Sequence, residues 1–439
     1  MSTPSPSVSA PESACQTIDR AEHGISLRLV SANALKVVER LQGAGFQAYL
    51  VGGCIRDLLL DVRPKDFDVA TSATPEEIRE LFRNARLIGR RFRLAHVRFG
   101  REIIEVATFR GSGDSDSSDE DRVLERGRLT RDNVFGSEVE DAFRRDFTIN
   151  ALMYDPATET VRDHVGGYED VRARRLRLIG DPRTRYREDP VRLLRAVRFM
   201  VKLDLAMEPE TAGPIASMAA LLDGIPPARL FDEILKLFMA GHAWPTYQAL
   251  VRQSLWPQLF PGLFDNPAEP PKLVENALRN TDQRVAEGLP VTPGFLFAAF
   301  LWQRVRAAAE TLIEEGLPPV DALAAAGEDA IVAQAKKVAL HRRFSTIAKE
   351  IWCMQPRFHK RRGQRALRLI NERRFRAAYD FLLLRVAEEP ELAELAQWWT
   401  DIQEVDHEQR MGMIRSAPGG GGGKKRRRRP RKRKPASAS

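Results

Sequence analysis

The spacing of apolar residues changes along the chain and predicts a small mixed region followed by a long helical one. Apolar residues recur at helical spacing from about residue 31, and the apolar run 48–51 is typical of a buried strand ending at Gly52-Gly53. From about residue 188 onward the helical period continues almost without interruption, with prolines between the runs. We therefore expect an α+β protein, with a small mixed-sheet head and an elongated all-α remainder.

Two further strand patterns lie between these regions. The stretch 66–70 alternates polar and apolar residues, which in a strand places Asp66 and Asp68 on one face. The β-rich runs 94–99 and 103–109 are separated by a short Gly-containing turn and predict a hairpin whose second strand carries Glu105.

Composition divides the chain into five predicted segments. A Ser-, Pro- and Ala-rich N-terminus at 1–24 is expected to be disordered. A catalytic head is expected at 25–175, a helical neck at 176–260 and a helical body at 261–415. Residues 416–439 form a Gly linker followed by a basic tail, for which we also predict disorder.

The bulk composition favours a cytoplasmic protein that does not cross a membrane. Apolar residues make up 43% of the chain, but its longest unbroken apolar run is too short to span a bilayer. The N-terminus has no basic-then-apolar signal pattern. The three cysteines are widely spaced and form no CxxC pair, so we expect neither a disulfide framework nor a zinc site.

The net charge of +9 is concentrated in one place, the run KKRRRRPRKRK at 424–434. This run contains ten basic residues and therefore accounts for the whole positive excess of the chain. Basic runs bind polyanions because each neutralised phosphate releases counterions, although a solvated tail is the alternative. The predicted RNA-binding residues are Lys424, Lys425, Arg426, Arg427, Arg428, Arg429 and Arg431.

One constellation in the head suggests phosphoryl chemistry. Two glycines at a strand-to-helix junction let backbone N–H groups approach a triphosphate closely. Asp66 and Asp68, joined by Glu105 from a neighbouring strand, can hold two Mg²⁺ ions. Oxygen ligands without His or Cys favour magnesium over zinc. Each piece alone is a weak signal, whereas their order and spacing together are specific.

Six runs in unbroken order across about 45–205 resemble one branch of the nucleotidyltransferase superfamily. The branch contains bacterial poly(A) polymerases and tRNA CCA-adding enzymes, and the runs are LVGGCIRDLLL, KDFDVATSATPEEI, IIEVATFRG, EDAFRRDFTINALMYDP, DHVGGYEDV and RYREDPVRLLRAVRF. Within that branch, GRRFRLAHVRFG at 89–100 and FRAAYDFLLLR at 375–385 resemble the poly(A) polymerase type, as does the basic tail.

The resemblance implies a role for each matching residue. It implies that Asp66 and Asp68 bind the catalytic metals. It also implies an ATP-binding turn in which two glycines hold the triphosphate and two charged residues brace it, namely Gly52, Gly53, Arg56 and Asp57.

Other roles leave an alternative open. Either Glu105 or Asp146 is the third catalytic carboxylate; strand geometry ranks Glu105 first for the metal. Arg145 and Asp146 are then expected to meet the phosphates and the ribose hydroxyls of ATP. Asp189 and Arg192 are expected on one helix face, where they would select the incoming base, although a helix-capping ion pair is the alternative.

The expected activity is template-independent addition of AMP from ATP to RNA 3′ ends, with release of pyrophosphate, by a poly(A) polymerase that promotes RNA decay. The expected partners are RNA 3′ ends and ATP, with RNA-decay machinery as a further possibility, and no DNA. A tRNA CCA-adding enzyme is the alternative, and a non-catalytic RNA-binding module is disfavoured because three converging carboxylates without metal would repel RNA. Two arginine-rich stretches, 172–198 and 357–376, are either RNA tracks or intramolecular ion pairs.

Overall fold

The described part of the chain, in a computed structural model, comprises residues 15–89, 93–111, 122–125, 128–132 and 135–417. Its strands are β1 (Gln16–Ile18), β2 (Ala48–Val51), β3 (Asp68–Thr71), β4 (Ala85–Ile88), β5 (Leu94–Phe99), β6 (Glu102–Thr108), β7 (Arg122–Glu125), β8 (Arg128–Asp132), β9 (Met153–Asp155), β10 (Thr160–Asp163), β11 (Arg175–Leu176) and β12 (Ala206–Met207).

Eight of the described strands form one mixed sheet in the order β1-β10-β9-β2-β3-β6-β5-β4. Strand β2 lies near its centre and is buried along its whole length, as the apolar run 48–51 predicted. Every neighbouring pair is antiparallel except β3 and β6, which run parallel. The predicted hairpin is confirmed as β5 and β6, with an observed β6 range of Glu102–Thr108.

The register of three adjacent strands brings one end of each to the same place. Val51, the last residue of β2, pairs with Asp68, the first residue of β3. Asp68 in turn pairs with Glu105 of β6. The predicted alternation holds, because Phe67 is buried while Asp66 and Asp68 are exposed, although the strand itself begins only at Asp68.

The predicted disordered N-terminus is too long. Residues 16–18 form strand β1, which pairs with β10 at the edge of the sheet, and Ile18 is 1% exposed. Composition could not show this, because the pairing joins segments that are distant in the sequence. Residues 1–14 lie outside the described part.

The helices are α1 (Arg20–His23), α2 (Ala32–Gly43), α3 (Gly53–Leu59), α4 (Pro75–Leu81), α5 (Glu138–Arg144), α6 (Gly167–Arg172), α7 (Pro182–Glu188), α8 (Val191–Lys202), α9 (Pro209–Ala212), α10 (Ile215–Met218), α11 (Pro227–Phe238), α12 (Ala243–Arg252), α13 (Trp256–Leu259), α14 (Lys272–Ala286), α15 (Pro293–Glu314), α16 (Pro319–Ala335), α17 (Arg342–Phe358), α18 (Gln364–Ile370), α19 (Phe375–Arg385), α20 (Ala393–Glu404) and α21 (His407–Ser416). The α+β class is confirmed, with a mixed sheet first and helices after it. No described helix is long and apolar enough to cross a membrane.

The described residues form two units, one within the bounds Met1–Ile225 and Ala249–Gln258, the other within Pro226–Gln248 and Leu259–Ser439. The first contains the sheet. The second has a helical core near its C-terminal end, where Trp399 is fully buried and donates its indole N–H to the carbonyl oxygen of Phe358 at 2.9 Å. The predicted limits of head, neck and body stay predictions.

Candidate active site

The glycine turn between β2 and α3 leaves room for a neighbouring arginine. Gly52 has φ 78° and ψ −132°, a backbone conformation that residues with a Cβ rarely adopt. A Cβ there would lie 3.2 Å from Nη1 of Arg145. The Gly52 N–H donates to the carbonyl oxygen of Leu152 at 3.1 Å, so the N–H groups left for a ligand begin at Gly53 in the first turn of α3.

Arg56 holds the glycine turn from within α3. The side chain of Arg56 is buried and donates from Nε to Oδ1 of Asp57 at 2.8 Å. Its Nη1 donates to Oδ1 of Asn150 at 2.5 Å, and its guanidinium lies over the ring of Phe199. Arg56 therefore connects the glycine turn to Asn150, in the segment that follows α5.

Three carboxylates meet at the sheet end beside this turn. Asp68 and Glu105 are paired across parallel strands, and Asp66 precedes Asp68 by two residues. Although Asp68 is accessible to solvent, partial desolvation of its carboxyl group, reinforced by the negative charges of Glu105 and Asp66, raises its pKa to about 6, and Arg145 opposes this shift. His96 of β5 lies 3.3 Å from Glu105, measured from Nε2 to Oε1. The cluster is short of positive charge, as expected of carboxylates that bind a cation.

Asp146 lies in a different environment, engaged on both carboxylate oxygens. Its Oδ1 accepts from the Phe147 N–H at 2.8 Å and from Nδ2 of Asn150 at 3.1 Å. Its Oδ2 accepts from Nε of Arg195 at 2.6 Å. Burial alone would raise the pKa of Asp146, but Arg195 and these hydrogen bonds lower it below its ordinary value. Asp146 thus joins the end of α5 to α8.

Arg145 is positioned between this network and the glycine turn. Its Nη2 donates to Oδ2 of Asp141 at 2.8 Å, and its Nη1 donates to the carbonyl oxygen of Asn150 at 3.3 Å. Its side chain is 23% exposed, and its Nη1 lies beside Gly52.

The expectation that Asp189 and Arg192 share one helix face is wrong. Asp189 follows the last residue of α7 and has an extended backbone, φ −143° and ψ 92°, because a residue before proline avoids the helical region. Helix α8 starts only at Val191. Nη1 of Arg192 donates to the carbonyl oxygen of Arg185 at 2.7 Å and to Oε2 of Glu188 at 3.0 Å. The two side chains therefore flank a helix junction, and their role in base selection stays a prediction.

Sequence reasoning missed the residue that connects this site. Asn150 is 7% exposed and contacts Arg56, Arg145 and Asp146 through its side chain or backbone. The sequence offered one signal, a polar residue in the apolar context FTINAL. Arg195, the partner of Asp146, carried no such signal among the ten arginines of its stretch.

At least six of the ten arginines in 172–198 and four of the eight in 357–376 are ion-paired. In 172–198, the side chains within ion-pair distance of a carboxylate are those of Arg172, Arg175, Arg177, Arg185, Arg192 and Arg195. In 357–376 they are those of Arg357, Arg361, Arg374 and Arg376. The predicted RNA-binding residues of the tail, 424–431, lie outside the described part of the chain.

A second cluster of possible metal ligands lies at the sheet edge, formed by Cys15, Glu138 and His164. Oε1 of Glu138 already accepts from Nε2 of His164 and from Nε of Arg162, each at 2.6 Å. A positive guanidinium on the central carboxylate opposes binding of a cation, so this cluster is better described as an ion-paired core. All three cysteines of the chain are free thiols.

Carboxylates on adjacent strands of a mixed sheet, beside a glycine turn that leads into a helix, define the class of nucleotidyltransferases. Three family models match the chain, described as "Poly A polymerase head domain" over 48–177, "Probable RNA and SrmB-binding site of polymerase A" over 204–266 and "Polymerase A arginine-rich C-terminus" over 315–433.

Individual relatives narrow the assignment. Poly(A) polymerase I of Salmonella typhi is 49% identical over 95% of this chain and 92% of its own length. A CCA-adding enzyme of Lactobacillus helveticus is 38% identical, but over 52% of this chain and 54% of its own. The solved structure of the Bacillus stearothermophilus CCA-adding enzyme in complex with CTP has a TM-score of 0.57 and 25% identity, covering 84% of this chain and 82% of that one. The chain belongs to the poly(A) polymerase I family and is a nucleotidyltransferase.

Proposed function

We propose that this protein adds AMP from ATP to RNA 3′ ends without a template and releases pyrophosphate. The observation that carries the proposal is the register Val51–Asp68–Glu105, which places the acidic cluster at the same sheet end as the Gly52 turn. A triphosphate held at that turn would therefore present its α-phosphate to the acids.

The acidic cluster fits magnesium by its donor set and its electrostatics. Asp66, Asp68 and Glu105 offer hard oxygen ligands. The raised pKa of Asp68 comes first from desolvation and then from repulsion by Glu105 and Asp66, and a divalent cation would offset both. Bound magnesium supplies charge that activates the RNA 3′-hydroxyl and neutralises the departing pyrophosphate. Within this proposal, Glu105 is the third carboxylate.

Other residues of the chain position ATP. The Gly52-Gly53 turn receives the triphosphate, and Arg145 meets a phosphate or the ribose from beside Gly52. Arg56 and Asp57 keep the turn rigid, since the Arg56 side chain is buried and bonded on two sides. Asp146 acts as a positioning residue, because its oxygens are engaged by Asn150, Arg195 and the backbone. Catalysis then rests on orientation and on charge placed where it develops.

Selection of ATP falls to Asp189 and Arg192 at the α7–α8 junction. Arg192 is 13% exposed and held by Glu188, so its fork of donors has a fixed direction. Asp189 supplies a carboxylate acceptor on the other side of Pro190. An acceptor and a donor fork together can read the Watson–Crick edge of a base.

The basic tail would hold the growing RNA near the site, so that repeated addition competes with release. Tails added in this way would mark RNA for decay, which makes RNA-decay enzymes expected partners. The relatives support poly(A) polymerase activity over CCA addition, because the curated CCA-adding enzyme matches only about half of the chain.

The deciding experiment supplies each NTP separately, and then CTP with ATP, to the purified protein with Mg²⁺. The substrates are a generic RNA with a free 3′-hydroxyl and a tRNA lacking its last three nucleotides. Long ladders with ATP alone on generic RNA are expected. CTP-dependent extension that stops after three nucleotides, on tRNA only, would establish CCA addition instead.

Two variants tie any activity to the proposed site. Asp68→Asn should abolish extension, because it removes a proposed metal ligand. Glu80→Gln, which removes an exposed carboxylate on α4, is the matched control and should extend RNA normally. An equal loss of extension activity in both variants would mean that the protein preparations are impaired, and not that the proposed site is affected.

A further inference from the structure

An open cavity of about 510 Å³ lies beside the segment that leads into the acidic strand. Its walls come from the 3-10 turn before α2, from the loop between α3 and β3, and from the start of β6. The lining residues that matter here are Arg28, Leu29, Val62, Arg63, Lys65 and Phe67. Lys65 directly precedes Asp66. The volume of the cavity is within the range of about 300–1,000 Å³ usual for small-ligand sites.

The cations of this cavity are available to a ligand. Arg28, Arg63 and Lys65 are exposed, and within the described part of the chain none of them forms an ion pair. This contrasts with 172–198, where most arginines are paired. Unpaired guanidinium and ammonium groups around one concave surface are the arrangement expected for binding phosphate.

Two carboxylates also line the cavity, but they do not cancel its positive charge. Oε2 of Glu102 accepts from Nδ2 of Asn33 at 2.5 Å, and Oε1 accepts from the hydroxyl of Ser31, so both of its oxygens are directed at α2. Asp61 is exposed on the loop after α3. Three cations against two carboxylates leave the lining net positive.

Positive charge continues beyond the cavity. Burial lowers the pKa of Lys202 at the end of α8; the charge of Asp57 opposes this shift, and those of Arg56, Lys65 and Arg198 add to it. The charge of Lys65 therefore acts beyond the cavity lining, on Lys202. A chain of phosphates, rather than a single anion, matches the three cations spread along the lining.

The cavity also offers apolar surface. Leu29 is 59% exposed and Val62 is 47% exposed, whereas Phe67 is 8% exposed in the floor. Exposed aliphatic side chains beside unpaired cations can receive the face of a base next to its phosphate. The combination suits a nucleotide unit better than it suits inorganic phosphate.

We propose that this cavity binds a nucleotide unit of the RNA strand, with Arg28, Arg63 and Lys65 on its phosphates and Leu29 and Val62 against its base. The inference rests on the proposed function, since it supplies a site for the RNA that is extended. It makes the surface next to Asp66 a second binding site, separate from the ATP turn at Gly52.

The test uses the full-length double variant Arg28→Gln/Arg63→Gln, which removes two charges and keeps side-chain length. Arg86→Gln is the matched control, because Arg86 is exposed on β4 and does not line the cavity. The measurements are KM for RNA, KM for ATP, kcat at saturating RNA, and anisotropy of a 3′-labelled RNA without ATP. The double variant should raise KM and Kd for RNA about 5–20-fold. It should also lower the slope of log Kd against log salt by about 1.4, since each single-strand phosphate contact contributes about 0.7.

The outcomes separate this inference from the proposed function. Unchanged RNA binding and unchanged salt slope in an otherwise active double variant would overturn the cavity proposal alone. A raised KM for ATP with an unchanged KM for RNA would assign the cavity to the free nucleotide and overturn it as well. If the wild-type protein fails to extend RNA, the proposed function fails, while the anisotropy series still decides whether the cavity binds RNA.

A second variant tests the base contact. Leu29→Ser/Val62→Ser removes two exposed aliphatic side chains, so little stability should be lost. It should weaken RNA binding about 3–10-fold while leaving the salt slope unchanged, because no phosphate contact is removed. Unchanged affinity for RNA would refute the apolar part of the proposal.

Discussion

The assignment of the third carboxylate predicts opposite effects on stability for two substitutions. Asp146 bridges the Phe147 N–H, Asn150 and Arg195, and its side chain is 10% exposed. Asp146→Asn would remove the negative charge that faces Arg195 in this ion pair. Removing one partner of a buried ion pair costs about 3–5 kcal/mol, but Arg195 is 30% exposed and can be rehydrated. We expect a loss of about 2 kcal/mol, which lowers Tm of the first unit by about 4–8 °C.

Glu105→Gln should behave in the reverse way. Glu105 helps to raise the pKa of Asp68, so its removal relieves repulsion, and Tm without magnesium should be unchanged or higher. As a proposed metal ligand it should nevertheless control the rate. Loss of about 3 kcal/mol of transition-state stabilisation corresponds to a fall in kcat of about 100-fold.

The assay combines thermal unfolding without magnesium with single-nucleotide ATP addition well below Tm. For Asp146→Asn we expect a clear fall in Tm and less than about a tenfold loss in kcat. A stable but inactive Asp146→Asn, together with an active Glu105→Gln, would refute the reasoning and make Asp146 the third catalytic carboxylate.

Three further predictions concern the turn, the pH dependence and the tail. Gly52→Ala places a Cβ 3.2 Å from Arg145 at a φ of 78°, which costs about 1–3 kcal/mol of strain and should raise KM for ATP. Gly100→Ala is the control, because its φ is 62° and no atom lies within 4 Å of the new Cβ. An equal increase in KM for ATP in both variants would contradict this prediction. Because the carboxyl group of Asp68 is protonated as the pH falls through about 6, the magnesium concentration that gives half the maximal rate should increase below that pH. Magnesium titrations from pH 5 to 8 measure this concentration, and a value that does not change with pH would count against Asp68 as a ligand. Without magnesium, the free energy of unfolding should respond to pH in the opposite direction. Because the pKa of Asp68 is raised above its unfolded value, its contribution to stability becomes more favourable as the pH falls from about 6 to about 4, and thermal unfolding without magnesium measures this. Deletion of 419–439 should shorten the tails and flatten the salt dependence of RNA binding, and tails of unchanged length on a gel would show that the basic run does not retain RNA.

Local features of the head were readable because they depend on neighbouring residues. Alternation predicted that Asp66 and Asp68 lie on the side opposite Phe67, since successive side chains of an extended segment point to opposite faces. The Gly52-Gly53 pair marked the strand-to-helix turn, where Gly52 adopts a positive φ. The helical period after residue 188 likewise predicted the helices that follow.

Pairing between distant segments was not readable in the same way. Composition predicted disorder where strand β1 forms, and it could not reveal the strand because its partner, β10, lies far along the chain. The helix junction at Pro190 separated Asp189 from α8, although the i, i+3 spacing to Arg192 suggested one face.

The sequence alone determined which residue types the site contains and in what order, because motif spacing and periodicity are properties of the local chain. Only the tertiary structure decided how they are used. The parallel pairing of β3 with β6 set Glu105 opposite Asp68, and the approach of α8 gave Asp146 its partner Arg195. It also left Arg28 and Arg63 unpaired around one cavity, whereas other arginines are neutralised by carboxylates. Such choices depend on the order of strands in the sheet and on which charges burial brings together, and neither follows from spacing along the chain.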